Sequence, residues 1–427
     1  CPAGRTYARS MAAGRSQPGS GKRQLLRLAG RLAAAFVLLQ AAVIAGLQVV
    51  SVARRKLRPQ AAFPHARFAP VSVGANELQL YSYGEHLYED MLAAIDAARE
   101  RIYLETFIWK GDAVGRKFKE RLVARAEAGI EVYVIHDHFG NLVVPASFKE
   151  FPPAIHVLAY RAMTRPWQVF DPRHYALEHR KLLVVDGREA FIGGYNIGAA
   201  YATKWRDTHL RIEGPGAADL AQDFASFWNE HVPEDQRITR AYRRHFDPLF
   251  RLEGNDAAKL AFPIRDMYLA AIDTAAECVR LTSAYFVPDS ALVRGLIQAR
   301  RRGVEVKILL PWVSNHVVTD WLARGYFEQL LREGVRIFAY EAMLHAKTCT
   351  IDGQWCTVGT ANLDRLSAVG NYEVNIEVYS ADLARQMEEL FEGDLEKAHE
   401  LHLDEWLNRP WPSKLSERIL EPLRSLM

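Results

Sequence analysis

The pattern His-x-Lys-x-x-x-x-Asp occurs twice in this chain of 427 residues, and the two copies begin 166 residues apart. The copies are His179, Lys181 and Asp186, and then His345, Lys347 and Asp352. Two further positions keep the same spacing. Asn196 and Asn362 each follow their histidine by 17 residues, and an acid, Asp207 or Glu373, follows it by 28. These matching offsets predict a duplicated structural unit in which each half supplies an equivalent set of polar side chains.

The spacing within one copy predicts a hairpin that can grip a phosphate. Side chains alternate along a strand, so His-x-Lys places an imidazole and an ammonium on one face. The Asp-Gly pairs at 186–187 and 352–353 predict a turn, after which a second strand returns and delivers the asparagine. A lysine charge and amide donors that are held in place beforehand stabilise the negative oxygens of a five-coordinate phosphorus.

Two facing hairpins of this kind would share one phosphodiester. One imidazole can attack phosphorus while the other protonates the departing alcohol, and an unperturbed pKa of about 6.5 suits histidine to both tasks. Because each half donates one set, we expect the site at the interface between the halves, and we expect neither half to work alone. Asp186 and Asp352 have two interpretations, a direct role in the active site or a structural role in the turn.

The segments HRKLLVVDGREAFIGGYN and HAKTCTIDGQWCTVGTAN resemble the two HKD motifs of the phospholipase D superfamily. Within it the chain is most similar to the bacterial cardiolipin synthases, which the runs Trp205–His209 and Gly359–Asp364 also match. The resemblance covers roughly Val71 to Leu401. The sequence departs from the Gly-Ser pair that usually precedes the asparagine. The first half has Gly193-Gly194, which carries no hydroxyl, and the second has Gly359-Thr360, which does.

The resemblance implies an α/β fold of two similar halves, each a mostly parallel β-sheet flanked by helices. It implies that His179 is the nucleophile of a covalent phosphohistidine and His345 the acid, although the order could be reversed. Asp207 and Glu373 would each hold an imidazole Nδ1 so that Nε2 can react. The phosphate-binding residues would be Lys181, Asn196, Lys347, Thr360 and Asn362. No metal and no other cofactor is expected, because the two lysines supply positive charge.

A β-α-β order is predicted at the start of each half. Apolar residues at helical spacing begin at Leu87 and at Val114, and they alternate with the strands 102–109 and 131–135. The second half repeats the series, and the junction is predicted near Phe246–Asp256, where Pro248 and Gly254 weaken regular structure. The predicted divisions are a basic segment 1–31, a transmembrane helix 32–53, a linker 54–70, the halves 71–250 and 251–400, and an amphipathic segment 401–427.

The charge is distributed unevenly. Residues 1–58 hold eleven Lys and Arg and no acid, whereas the rest holds 43 Lys and Arg against 51 Asp and Glu, a net charge of −8. A nuclease normally carries a basic surface for the phosphate backbone, so an acidic body argues against nucleic acid as substrate or partner.

Leu32–Ala53 is an uncharged stretch of 22 residues, and as a helix it would extend about 33 Å, enough to span a bilayer. The alternative is a cleavable signal peptide, but Arg54-Arg55-Lys56 follows in place of a small-residue cleavage site. Balanced basic flanks leave the orientation open. We expect a single-pass anchor in the bacterial inner membrane, with the catalytic body on the cytoplasmic side and anionic lipid attracted to the flanks.

Two smaller patterns also carry predictions. A two-residue loop at 352–353 would place Cys349 opposite Cys356, but the equivalent residues Leu183 and Ala190 are apolar and favour buried free thiols over a disulfide. His136-Asp137-His138 suggests a metal cluster or, as we prefer, a loop at the substrate entrance.

The C-terminus and the N-terminus each leave a choice open. Leu415, Ile419, Leu423 and Leu426, after Trp406 and Trp411, predict a helix that lies on the membrane surface or packs on the body. At the other end, Met11 is an alternative start to Cys1, and a lipid-modified Cys1 is disfavoured because the apolar stretch follows it.

The function expected from these observations is a cardiolipin synthase-type phosphatidyltransferase that transfers a phosphatidyl group between phosphatidylglycerol molecules and releases glycerol. The first alternative is a phospholipase D that hydrolyses phospholipids to phosphatidic acid. The second is a membrane-tethered phosphodiesterase of nucleic acids, and a non-catalytic phosphate-binding protein is the third. The sequence does not indicate an oligomeric state.

Overall fold

The computed structural model describes residues 20–57, 63–165, 167–168, 171–240, 242–365, 367 and 370–425. The chain divides into two compact units, Cys1–Val50 and Ser51–Met427. Three sets of predictions lie outside the described residues. They concern Cys1 and Met11 in the N-terminal segment, residues 58–62 of the linker 54–70, and Leu426.

The N-terminal helix α1 spans Ser20–Leu57. Its segment Leu26–Ala53 is long and apolar enough to cross a membrane by length and composition, a test that a signal sequence also passes. The predicted segment 32–53 lies within α1. The helix begins earlier than predicted, because residues 20–31 of the basic segment contain no proline and continue the helix.

The strands of the second unit fall into two series, one for each half of the repeat. The strands are β1 Val71–Val73, β2 Asn76–Tyr81, β3 Arg101–Thr106, β4 Glu131–Asp137, β5 Ile155–Tyr160, β6 Leu182–Val185, β7 Glu189–Gly193, β8 Trp205–Arg206, β9 His209–Glu213, β10 Phe250–Asn255, β11 Cys278–Thr282, β12 Phe286–Val287, β13 Glu305–Pro311, β14 Arg336–Tyr340, β15 Met343–Leu344, β16 Thr348–Ile351, β17 Trp355–Gly359, β18 Leu363–Asp364, β19 Glu373–Tyr379 and β20 Ala398–Leu401.

The α-helices of this unit cover the two sheets. They are α2 Gly84–Ala97, α3 Ala113–Glu127, α4 Ala199–Thr203, α5 Pro215–His231, α6 Pro263–Thr274, α7 Ser290–Arg301, α8 Val317–Arg332, α9 Ala381–Leu395, α10 Leu403–Leu407 and α11 Trp411–Leu420. The helices predicted from the spacing that begins at Leu87 and Val114 are α2 and α3, each of which buries that apolar face.

The two large sheets share seven strands in the same order, which confirms the duplication, and each adds one edge strand of its own, β1 in the first sheet and β20 at the opposite edge of the second. The first sheet has the order β1-β2-β9-β7-β6-β3-β4-β5, and the second has the order β10-β19-β17-β16-β11-β13-β14-β20. In each half the β-α-β strands are parallel, namely β3, β4 and β5, and then β11, β13 and β14. The other neighbours pair antiparallel, because short hairpins connect several of them. The α/β class is confirmed, but the sheets are mixed and not mostly parallel.

The hairpins that follow the two motifs have three-residue loops. Val185 pairs with Glu189, and Ile351 pairs with Trp355, one residue later than a two-residue loop would give. Cys349 therefore lies opposite Thr357 and not opposite Cys356. The two thiols are free, fully buried and packed in different clusters on opposite faces of the sheet. The preference for buried free thiols is confirmed.

Among the described residues, the three largest apolar clusters form most of the core of the second unit. The largest lies between the sheets and combines residues of both halves, such as Leu210 and Ile212 from one sheet with Val358 and Ile376 from the other. The outer face of the first sheet packs under α2 and α3, and that of the second under α6, α7 and α8. Because one core serves both sheets, the halves fix each other's position.

The junction between the halves differs from its prediction. Residues Phe250–Asn255, expected to be irregular, form β10, which pairs antiparallel with β19 along its whole length. The gain of a full ladder of backbone hydrogen bonds outweighs the weak strand propensity of Gly254 and Asn255. The boundary between 250 and 251 would divide this strand, and the division into halves at that residue stays a prediction.

The C-terminal helix packs on the body. Leu420 of α11 is fully buried, α11 lies against α8, and Arg409 pairs with Glu417. Trp406 packs in the core beneath α8, whereas Trp411 and Leu415 remain exposed. Of the two interpretations of this segment, packing on the body is the one observed.

Candidate active site

The two histidines lie in extended segments just before β6 and β16, not within the strands as predicted. Each segment is held by the other half. The backbone amide of His179 donates to the carbonyl of Tyr372 at 3.1 Å, and that of His345 donates to the carbonyl of Arg206 at 2.7 Å. Arg206 and Tyr372 are 166 residues apart and so occupy equivalent positions in the repeat. The contact between the halves is therefore pseudo-symmetric at the motifs themselves.

The acids are exchanged between the halves. Nδ1 of His179 lies 3.0 Å from both carboxylate oxygens of Glu373, and Nδ1 of His345 lies 2.6 Å from Oδ2 of Asp207. Each acid thus contacts the histidine of the half that does not contain it. An ionised carboxylate only accepts hydrogen bonds, so next to an ionised acid the ring proton resides on Nδ1 and Nε2 keeps its lone pair.

Both lysines of the motifs are buried beside their histidines. Lys181 donates to the carbonyl oxygen of His179, and Lys347 donates to that of His345. Burial lowers the pKa of Lys181 to about 7, with a further lowering by the charge of Lys347, and it lowers the pKa of Lys347 to about 8. Two ammonium groups with destabilised charges form a site that an anion would stabilise.

The two imidazoles are neutral in this site. Burial, followed by the charge of Lys181, holds the pKa of His179 well below 6.5. Burial and Lys347 likewise lower the pKa of His345. Neutral rings with Nδ1–H bound to an acid are suited to nucleophilic attack through Nε2.

The two acids differ in charge state. Burial raises the pKa of Glu373 to about 7. Burial would also raise the pKa of Asp207, but His345 and Lys347 outweigh it, and the net effect is a pKa below its ordinary value. Asp207 therefore remains ionised at neutral pH, whereas Glu373 is close to its titration point. The two His-acid pairs are not electrostatically equivalent.

The asparagines are buried at the returning ends of the hairpins, as predicted. The side-chain oxygen of Asn196 accepts from the amide of Ile108 at 2.9 Å, which fixes the direction of the amide group. The side-chain oxygen of Asn362 has no hydrogen-bond partner among the described residues.

The hydroxyl of Thr360 is engaged inside the protein. It donates to Oε2 of Glu373 at 2.6 Å and accepts from the amide of Val374 at 2.9 Å. The Thr360 hydroxyl was predicted to contact phosphate, but in this structure both of its hydrogen bonds are made within the protein. Its observed role is to orient Glu373.

Asp186 and Asp352 lie at the far ends of β6 and β16 from the histidines. Asp186 accepts from the backbone amides of Arg99, Glu100 and Arg101 at 2.8 to 2.9 Å. Asp352 makes the equivalent three bonds at 2.8 Å, to residues 276–278. Of the two interpretations, the structural one fits: each aspartate ties the hairpin turn to the start of the neighbouring strand.

Aromatic side chains outside the two motifs contact both histidines. The ring of Phe107 lies edge-on to His179 with centroids 4.8 Å apart, and the ring of Trp205 lies edge-on to His345 at 5.1 Å. Tyr285 approaches His345 at 6.0 Å. Phe107 and Tyr285 follow strands β3 and β11, so the rule that functional loops follow parallel strands would have pointed to them.

Asp137 has a structural role at the first motif. Its Oδ2 accepts from the amide of Glu178, the residue before His179, at 3.0 Å. Across the described ranges, no group of three or more His, Cys, Asp or Glu residues is arranged to hold a metal ion. His136, Asp137 and His138 are among the residues searched. Asp137 instead fixes the segment that presents His179.

The family described as "Cardiolipin synthase, PLD-like domain" matches this chain twice, at residues 91–228 and 268–395. The chain belongs to the cardiolipin synthase branch of the phospholipase D-like family. The cardiolipin synthase of Clostridium perfringens is 32% identical over 378 residues, which cover 82% of this chain and 77% of that protein. Cardiolipin synthase 1 of Staphylococcus aureus is 32% identical over 81% of this chain and 72% of its own length.

Two solved structures share the fold. The phosphatidylserine synthase of Haemophilus influenzae has a TM-score of 0.60 at 13% identity and covers 88% of this chain and 97% of its own. The polyphosphate kinase of Porphyromonas gingivalis has a TM-score of 0.51 at 14% identity, with 82% and 53% covered. The family assignment makes this chain an enzyme of the phospholipase D superfamily, a phosphatidyltransferase, with a phospholipid substrate.

Proposed function

We propose that this cardiolipin synthase-like enzyme transfers a phosphatidyl group from one phosphatidylglycerol to another and releases glycerol. The observation that carries the proposal is the exchange of acids, because it joins two complete His-Lys sets into one charged centre. Lys181 and Lys347 provide the positive charge for the phosphodiester, and binding an anion between them relieves their mutual repulsion.

In the first step Nε2 of His179 attacks phosphorus. A P–N bond forms and the P–O bond to the glycerol headgroup breaks. His345 takes up a proton at Nε2 when the anionic phosphodiester binds beside it, and it gives that proton to the departing oxygen. In the second step a hydroxyl of the acceptor phosphatidylglycerol attacks phosphorus and gives its proton to His345. The P–N bond then breaks, so His179 is regenerated and the products are cardiolipin and glycerol.

The difference between the acids favours this assignment of roles. A protonated His345 is stabilised by the ionised Asp207 at 2.6 Å, so it is the better proton carrier. Glu373, with a pKa of about 7, is the weaker counter-ion, and its partner His179 gains less from protonation. His179 is therefore the better nucleophile.

The aromatic groups favour transfer over hydrolysis. Phe107 and Trp205 cover one edge of each imidazole with apolar surface, which reduces the access of water to the P–N bond. Release of phosphatidic acid is the competing outcome, as a phospholipase D would give.

The product test uses the purified full-length protein in vesicles of phosphatidylglycerol, with lipids identified by mass. We expect cardiolipin and free glycerol in equal amounts, with no product from a His179→Ala variant. Phosphatidic acid without cardiolipin would show that water is the acceptor and would refute the transfer reaction.

The roles of the histidines are tested with a phosphatidyl ester of p-nitrophenol, which leaves without protonation. The His345→Ala variant should still release one equivalent of nitrophenol in a burst, whereas the His179→Ala variant should release none. The opposite pattern would reverse the two roles.

A further inference from the structure

The loop after β4, here called the β4 loop (residues 138–145), exposes three apolar side chains next to one another. Phe139 is 63% exposed, Leu142 57% and Val143 82%. Isolated exposed apolar residues are common on soluble proteins, but a contiguous group of large ones marks a surface that contacts a partner or a membrane.

The β4 loop is held firmly from below. Asn141 is buried, and its side-chain oxygen accepts from the amide of Trp109 at 2.8 Å. Its side-chain nitrogen donates to the carbonyls of Phe107 and Asp137 at 2.8 and 2.7 Å. Val144 turns inwards and is buried. The apolar side chains therefore point outwards because a fixed backbone directs them there.

The base of the β4 loop is joined to two residues that contact or adjoin His179, Phe107 beside its ring and Glu178 before it in the sequence. Phe107, whose carbonyl binds Asn141, contacts the His179 ring, and Asp137 accepts from the amide of Glu178. The exposed apolar group is thus connected to the reaction centre through two short chains of contacts.

The segments around the β4 loop hold an excess of bases, although the body as a whole is acidic. Residues 138–150 and 161–171 contain Lys149, Arg161 and Arg165 against Glu150 and Asp171, whereas residues 59–427 carry a net charge of −8. Because β4 and β5 are parallel neighbours, the segments after them leave the same edge of the sheet. The segment after β5 also exposes Trp167, and the guanidinium carbon of Arg165 lies 5.5 Å from the centroid of its ring.

We propose that the β4 loop docks on an anionic phospholipid bilayer, with Phe139, Leu142 and Val143 in the interfacial layer and Lys149 and Arg161 at the headgroups. Apolar side chains at the centre with cations around them match the two layers of such a surface. The inference rests on the proposed function, because the lipid must reach His179 from the membrane, and the base of the loop contacts the residues that hold His179.

Insertion depth tests the docking without using activity. A Leu142→Cys variant of the full chain, with Cys1 and Cys278 replaced by serine, is labelled with an environment-sensitive fluorophore. It is then reconstituted into vesicles that contain phosphatidylglycerol and acyl-chain nitroxide lipids. The control is Phe246→Cys, a position 84% exposed beside Asp247, which contacts the β1–β2 turn.

We expect quenching at position 142 at least about twofold stronger than at 246, as for a side chain below the headgroups. Equal quenching at the two positions would overturn the proposal. The proposal would also be overturned if, without lipid, the fluorophore at position 142 became less exposed to water as the protein concentration increased. That result would indicate a second copy of the chain as the partner.

A kinetic test separates docking from catalysis. We expect the Phe139→Ser/Leu142→Ser/Val143→Ser variant to turn over vesicle lipid about tenfold more slowly, while its rate on monomeric short-chain phosphatidylglycerol stays within about twofold. A matched Phe246→Ser variant should change neither rate. Equal losses on both substrates would refute docking. If the unsubstituted protein converts neither lipid, the proposed function fails, and the quenching experiment still decides on docking.

Discussion

The residue two positions before each asparagine is matched to the acid of its own half. At Gly194 an added Cβ would lie 2.1 Å from Oδ1 of Asp207, so this position accepts no side chain. At the equivalent position Thr360 donates to the longer Glu373. Each departure from the Gly-Ser pattern is therefore matched by its acid. In the first half Asp207 occupies the space that a side chain at 194 would need, and in the second half the hydroxyl of Thr360 binds the longer Glu373.

The buried lysines predict the pH dependence of the reaction. A lysine with a depressed pKa carries its charge below that pKa and loses it as the pH rises, so kcat/KM should fall as the pH rises above about 7 to 8. The decline of kcat should lie about one pH unit higher, because the bound phosphodiester stabilises the ammonium groups. Rate profiles between pH 6 and 10 measure both.

A Lys181→Arg variant gives the control for this pH effect. Arginine stays charged throughout the range, so only Lys347 still loses its charge as the pH rises. The residual activity of the variant should therefore fall less steeply with pH than that of the unsubstituted enzyme. A flat kcat/KM up to pH 9 in the unsubstituted enzyme would show that both lysines keep ordinary pKa values.

At the scale of elements, the hairpins are positioned by their turns. Asp186 and Asp352 both adopt positive φ angles, 54° and 52°, and the glycines that follow them do as well. This backbone lets each carboxylate reach three amides of the neighbouring segment. A motif position that looks catalytic by spacing thus has a structural function that both halves share.

Replacing the aspartate of one turn should affect stability more than chemistry. For Asp352→Ala we expect a loss of about 1 to 3 kcal/mol in the free energy of unfolding, since three amides lose a charged acceptor. Activity per folded molecule should stay within about threefold. Thermal unfolding and kcat/KM are measured together, with the exposed Asp382→Ala as control. A folded but inactive Asp352→Ala would support a direct role.

Sequence spacing predicted the elements better than their connections. The apolar periodicity of α2 and the β-α-β order were correct because burial enforces both. The loop length at 352–354 was wrong by one residue, since an Asp-Gly pair fits loops of either length. The exchange of Asp207 and Glu373 could not be predicted, because an offset of 28 residues is the same whichever histidine the acid serves.

At the scale of the whole molecule, the two halves depend on each other for both core and site. The central core takes apolar residues from both sheets. Beside the site the buried pair Arg206–Asp394, at 2.7 Å, joins the first half to α9 of the second. Neither half can bury its inner sheet face or complete a His-acid pair alone.

A chain divided between Arg244 and His245, in an exposed segment before β10, tests this dependence. Co-expressed fragments 1–244 and 245–427 should purify as a one-to-one complex with lipid-transfer activity, because the shared core drives their association. Each fragment expressed alone should be inactive, as should a complex with Glu373→Ala in the second fragment, whose partner His179 lies in the first. Activity of either isolated fragment would contradict the exchange of acids and would require both members of a His-acid pair to come from one half.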